Sequence, residues 1–240
     1  MSTKSSKTSR KKETVRGRKE TTNHDEVSKN RSLSPSPQIV LASASLARRQ
    51  LMKKLHKPFT WCTSDFDEDM LSHGHPRKLA THLALGKALT VAPKWPNAII
   101  IGADTFIMVG TKKIGKPKNI KEAQQIIGSM SGKTIRVYTG LAILKTDING
   151  KVMRKRTSCV LTKLKIKKMT RAEIDLLASA PEALKISGAF SIEGSGGKMI
   201  KKIDGDYDNV IGLPMFKVKE MLKNIGRNKV KTLHGPPLTN

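Results

Sequence analysis

The sequence predicts an α/β fold around a mixed sheet, and three observations carry that expectation. Apolar strand-like runs alternate with segments of helical periodicity from Ile39 to Leu222. One strand pair is joined by the tight turn Asp147-Ile148-Asn149-Gly150, which predicts an antiparallel hairpin, while helical patterns separate most other strands. No internal repeat interrupts this order.

Residues 1–37 are rich in Ser, Thr, Lys and Arg and end in Ser34-Pro35-Ser36-Pro37. They hold too little apolar surface to offset the entropy of ordering, so they read as a disordered basic tail. Arg10-Lys11-Lys12 and Arg16-Gly17-Arg18-Lys19 suit either a nuclear address or a nucleic-acid arm, and such clusters are also common in solvated tails.

The ordered domain is expected over 38–226, with 227–240 as a flexible tail. Ile39-Val40-Leu41 predicts a strand. A helix follows from Ser45 to Leu55, with Leu46, Leu51, Met52 and Leu55 on its apolar side. Phe59–Cys62 is a second strand, and Asp65–Asp69 an acidic island. Pro76 opens a long helix carrying Leu79, Leu83, Ala84 and Lys87. The run Ala98–Ala103 predicts a strand that ends on Asp104, with Phe106–Val109 as its continuation towards Gly110.

Asn119 and Glu122 form a capping box for a helix over 120–130. Thr134–Leu144 alternates in strand fashion and turns back into Val152–Ile166. Thr170 and Glu173 form a second capping box, opening a helix that runs to Ala180. Strands are expected at Ala189–Ile192 and Met199–Ile203, and a last helix starts at Pro214.

A chain of 240 residues with 37% hydrophobic and 27% charged residues can bury a sizeable core. Its net charge of +27 is the outlier. Residues 1–37 hold 10 Lys/Arg against 4 Asp/Glu, so the remaining 203 residues still carry +21. The folded part is itself basic, which favours polyanionic partners: nucleotides, nucleic acid or an anionic surface. Cys62 and Cys159 lie far apart in apolar segments and read as buried thiols in a reducing, cytoplasmic setting. No apolar run reaches the roughly 20 residues of a membrane helix, and no signal-peptide core is present.

Two apparent motifs fail on chemistry or context. Gly128–Thr134 resembles a phosphate-binding loop but is one residue short. It also sits between a helix and a strand, the reverse of what that loop needs, so Gly132 reads as a helix C-terminal glycine. His73-Gly74-His75 lacks neighbouring ligands for a metal and reads as a solvated loop. Lys163–Lys168 alternates with Leu164 and Ile166 and reads as one wet strand face. Asp104 stands apart, because ligands of open α/β sheets gather at strand ends.

Several segments in order resemble the Maf family of nucleotide pyrophosphatases. They are Leu41-Ala42-Ser43-Ala44-Ser45 with Arg48-Arg49, Gly102-Ala103-Asp104-Thr105, Gly115-Lys116-Pro117, Ser131-Gly132-Lys133 and Tyr138-Thr139-Gly140, followed by Gly188-Ala189-Phe190, Ile203–Tyr207 and Val210–Pro214. The resemblance spans about 38–225. It implies a twisted mixed sheet in two lobes with flanking helices and a central cleft, as in inosine triphosphatase, often in a homodimer. It also implies hydrolysis of a nucleoside triphosphate to monophosphate and pyrophosphate with a divalent metal, Mg²⁺ or Mn²⁺, clearing surplus or non-canonical nucleotides.

By that resemblance Asp104 is the catalytic carboxylate, as general base or metal ligand, and Asp65 is a second metal ligand in place of a longer Glu. Arg48, Lys87 and Lys116 match phosphate-holding positions, with Ser43 and Ser45 as hydrogen-bond donors. The family's usual lysine is replaced by Ile186, with Lys185 one residue earlier. Ala47, Thr105 and Glu193 occupy three specificity positions. Thr105 agrees with the branch acting on dTTP and UTP. Glu193 agrees with the branch acting on 7-methyl-GTP, where a carboxylate can accept from guanine N1–H and its exocyclic amine. The base stays open, with a lean towards a modified purine. A rival reading is a basic nucleic-acid-binding protein that keeps the fold without the chemistry.

Overall fold

Sterically stiff and β-branched residues make the longest segments strands, and the connections between them set the sheet. In the computed structural model, which describes residues 37–67 and 75–226, seven strands form one mixed sheet. They are β1 (Gln38–Ala42), β2 (Thr60–Cys62), β3 (Ala98–Val109), β4 (Lys112–Ile114), β5 (Thr134–Thr146), β6 (Val152–Ile166) and β7 (Ile200–Asp204). The order is β2-β1-β3-β5-β6-β7, with β4 paired to the far end of β3. β1 runs parallel to β2 and β3, and every other pairing is antiparallel. The predicted hairpin is present: Asp147 closes the turn through its backbone and side chain, and Gly150 adopts φ +78°.

Among the described residues six α-helices flank the sheet: α1 (Leu46–Met52), α2 (Pro76–Val91), α3 (Ile120–Met130), α4 (Arg171–Ala178), α5 (Tyr207–Ile211) and α6 (Met215–Ile225). The capping box at Thr170 and Glu173 forms in full, while at Asn119 only half of the predicted box does: Asn119 accepts from the Glu122 amide, and the Glu122 carboxylate accepts from the Lys118 amide instead. Pro76 occupies the first turn of α2, where its missing N–H costs nothing.

The core explains how a cleft arises. On one face of the sheet, α1 and α6 pack with Ile101, Ala103, Leu141 and Ile143. Further along the same face, α3 and α4 pack with Ile135, Val137, Leu164 and Ile166. Between these two groups the facing positions are Thr105 and Thr139, directly paired across β3 and β5. The opposite face is covered by α2, whose Ala84, Ala88 and Val91 meet Ile100, Ala142 and Leu144, and whose Leu79, Ala80 and Leu83 meet Phe106, Met108 and Tyr138.

Several expectations need correction. β3 continues through Phe106–Val109 as expected, but without a break, so Asp104 sits in the middle of a strand and not at a strand end. The helix after Ser45 stays α-helical only to Met52, and a 3₁₀ turn carries it to Leu55, where His56 at φ 51° stops it. Ala189–Ile192 is not a strand, because Gly188 and Ala189 both take positive φ and turn the chain. The helix from Thr170 ends at Ala178, β4 and α5 were not expected, and both thiols are half-buried rather than buried. Burial still raises both, Cys159 to about 11. Gly132, at φ +72° just past α3, is the helix-terminating glycine expected. The basic tail up to residue 36, His73 with its Gly74 neighbour, Glu68 and Asp69, and residues 227–240 lie outside the described residues. Among the described residues no helix is long and apolar enough to cross a membrane.

Candidate active site

A gap in strand pairing places the site. β1 pairs with β3 at Ala98–Ile101, and β4 pairs with it at Ile107–Val109. Among the described residues no strand covers Gly102–Phe106 on that edge, so Asp104 and Thr105 are presented laterally. A cavity of about 600 Å³ opens there, a size suited to a small ligand.

One wall is the turn from β1 into α1. Ser43 is buried, its hydroxyl accepting from the Ser45 amide and from Arg48 Nη1. Ser45 is the N-cap of α1 and accepts from the Arg48 amide. The guanidinium of Arg48 is further fixed by donation from Nε to the Gly212 carbonyl at 2.9 Å and from Nη2 to Thr105 Oγ1 at 3.1 Å. Thr105 Oγ1 also meets Thr139 Oγ1 at 2.9 Å, and Thr139 donates to the Asn209 carbonyl. A hydrogen-bonded line thus ties the cleft floor to α5.

The other wall rests on α2. Lys87 Nζ lies 2.5 Å from Asp104 Oδ1, and the two side chains are only 13% and 7% exposed. Ala80, Ala84 and Ala88 of α2 face Gly102 and Gly140, where an added Cβ would collide with the Ala84 and Ala80 carbonyls. This close helix-to-sheet approach brings the lysine to the carboxylate. Lys116 and Lys185 are exposed at the cavity margin, beside Phe190, Ile192 and Glu193.

The structure therefore gathers Ser45, Ala47, Arg48, Lys87, Asp104, Thr105, Lys116 and Glu193 around one cavity, with Ser43 directly behind. Asp65 is not brought there: it follows β2, is 81% exposed and stands 3.6 Å from Lys94 Nζ. Sequence reasoning did not place Lys185, the Thr139 hydroxyl or the Gly212 carbonyl. Only Lys185 carried a signal, as a lysine displaced by one residue.

For a divalent metal the described residues offer one buried carboxylate at the cavity, Asp104, with the exposed Glu193 at its margin, and no group of three ligating side chains. That is insufficient for an all-protein cage. It fits an ion such as Mg²⁺, which is commonly held by one or two carboxylates together with substrate phosphates and water.

The sequence matches the Maf-like protein family over residues 38–225. A dTTP/UTP pyrophosphatase from Clostridium botulinum (strain Kyoto / Type A2) is 37% identical over 194 residues, covering 79% of this chain and 98% of the relative. A second dTTP/UTP pyrophosphatase, from Symbiobacterium thermophilum, is 32% identical, covering 79% and 94%. A third, from Moorella thermoacetica, is 36% identical, covering 78% and 95%. Among solved structures, that of the Staphylococcus aureus Ham1 protein gives a TM-score of 0.45 at 14% identity, covering 78% of this chain and 98% of that one. A match over most of its length, supported by relatives of this similarity, means that the chain belongs to the Maf-like protein family.

Proposed function

We propose that this chain hydrolyses a nucleoside triphosphate to the monophosphate and pyrophosphate in the cleft beside β3. The observation that carries this reading is the buried Asp104–Lys87 pair, presented at a strand edge that no described strand covers, in one cavity with the cationic turn Ser43–Arg48. Water must attack phosphorus and open the anhydride between the first and second phosphates. Asp104 takes the proton of that water, and Lys87 holds the carboxylate in place. Arg48, Lys116 and Lys185 offset the charge of the departing pyrophosphate, and the α1 N-terminus with Ser45 adds hydrogen-bond donors. A divalent cation, Mg²⁺ or Mn²⁺, held by Asp104 and substrate phosphate oxygens, would supply charge neutralisation and a more acidic water. Asp65, exposed and outside the cavity lining, has no part in this arrangement.

The activity of the relatives makes dTTP and UTP the first substrates to test. A second reading rests on Glu193: a carboxylate at the cavity margin suits a base with two adjacent N–H donors, as in guanine and its N7-methylated form. Pyrophosphate release from a panel of normal and modified triphosphates, with each metal, tests both. Asp104→Asn is expected to lower the turnover of the folded protein by about 10²–10⁴-fold, with the folded fraction measured by circular dichroism because a buried ion pair is broken; wild-type turnover in that variant removes the mechanism. Glu193→Gln is expected to shift preference from purine towards pyrimidine, and an unchanged profile removes Glu193 as the base reader.

A further inference from the structure

The half of the sheet remote from α1 has one sealed face and one that, among the described residues, α2 covers only in part. α3 and α4 seal the first through Ile135, Val137, Leu164 and Ile166. On the second, α2 covers Phe106, Tyr138 and Met108, and beyond it the strand register builds an array of cations. Lys113 of β4 pairs with Met108, Met108 with Arg136 of β5, and Arg136 with Lys163 of β6. In the next row Thr134 pairs with Lys165, and Lys165 with Lys202 of β7. Lys113 Nζ stands 5.2 Å from the Phe106 ring, which fixes the face. All five cations are exposed. Asp204, 3.8 Å from Lys163, is the one carboxylate in these two rows.

Chain contiguity does not explain this grouping, since the five residues come from four strands. Arg136 directly opposes Lys163, and Lys165 directly opposes Lys202, a placement of like charges that costs stability in a sheet. Neighbouring strands lie about 4.8 Å apart, and same-face residues on one strand about 6–7 Å apart, so the array is a two-dimensional grid of charges whose backbone spacing is comparable to that of phosphates along a nucleic-acid strand. No large aromatic side chain is exposed in these rows, so there is no platform on which unpaired bases could stack. We propose that this face binds the phosphate backbone of a nucleic-acid duplex without reading its sequence, separately from the catalytic cleft.

The test uses the full chain and a fluorescein-labelled DNA duplex of mixed sequence, titrated at several KCl concentrations. The variant Arg136→Ala/Lys163→Ala/Lys165→Ala is compared with the control Lys57→Ala/Lys151→Ala/Lys223→Ala, which removes three exposed positive charges elsewhere. The face variant is expected to bind at least about tenfold more weakly at low salt, with the slope of log K against log[KCl] shallower by roughly 2–3. The control is expected to change little. Equal losses in both triples would assign binding to net charge or to the N-terminal basic segment, and absence of duplex binding by the wild type would also overturn the proposal. So would a polyglutamate peptide competing as well as unlabelled duplex, because it would make the face an acidic-protein surface. Thermal melting checks folding, and Lys165→Ala/Lys202→Ala carries the same comparison at smaller amplitude.

Discussion

Lys87 and Asp104 are almost wholly withdrawn from water, so each depends on the other's charge. Removing one member of a buried ion pair leaves the other desolvated and uncompensated, at a cost of about 3–5 kcal/mol. Lys87→Met is therefore expected to destabilise the fold by an amount at the lower end of that range, as well as to abolish turnover. Adding Asp104→Asn to it is expected to return much of the stability and none of the activity, read by denaturant unfolding of the two single variants and the double. Purely additive losses would show that the two groups do not interact. At this scale the resemblance was informative: it named both Asp104 and Lys87, which the fold sets side by side, although the strand end expected at Asp104 is absent. The role of Thr105 was less legible. Its hydroxyl is engaged by Arg48 and Thr139, which no reading of neighbours along the chain can reveal.

At the scale of elements, α2 governs the site through its closeness to the sheet. Gly140 and Gly102 have no side chains exactly where Ala80 and Ala84 approach, and the helix reaches nearer than any larger pair would allow. Gly140→Ala would drive its methyl into the Ala80 carbonyl, and the helix must move to admit it. Overpacking of this kind costs about 1–3 kcal/mol, occasionally more. The displaced helix also carries Lys87 away from Asp104, so turnover is expected to fall by more than the loss of folded protein explains. Unchanged melting temperature and kcat in Gly140→Ala would sink the argument. Such packing is invisible in sequence, where Gly102 looked like the end of an apolar run. The same limit explains the strand wrongly expected at Ala189–Ile192. Alternation of Ala189, Phe190, Ser191 and Ile192 mimics a strand, while the positive φ of Gly188 and Ala189 is a tertiary fact. β4 and α5, three and five residues long, are too short for periodicity to register, although the Asp206 side chain caps α5 by accepting from the Asn209 amide.

For the whole molecule, the charge of +27 opposes compaction, and the sheet concentrates part of that repulsion in the rows of Lys113, Arg136, Lys163, Lys165 and Lys202. The overall charge was plain in the sequence. Its placement was not, because Lys163 and Lys165 looked like one wet strand face until the register set Arg136 and Lys202 against them. Repulsion among exposed charges acts over the screening length, about 30 Å at 0.01 M salt and about 10 Å at 0.1 M. Raising KCl through that range is therefore expected to raise the melting temperature by a few degrees, since 1 kcal/mol corresponds to about 2–4 °C for a domain of this size. Arg136→Ala/Lys163→Ala/Lys165→Ala removes repulsion at its densest point and is expected to melt higher than the wild type at low salt, with the difference closing as salt rises. Scanning calorimetry at the two ionic strengths decides the matter. If the variant melts lower at both, the contacts of Arg136 with the Gly110 carbonyl and of Lys163 with Asp204 outweigh the repulsion, and the grid is not under electrostatic strain.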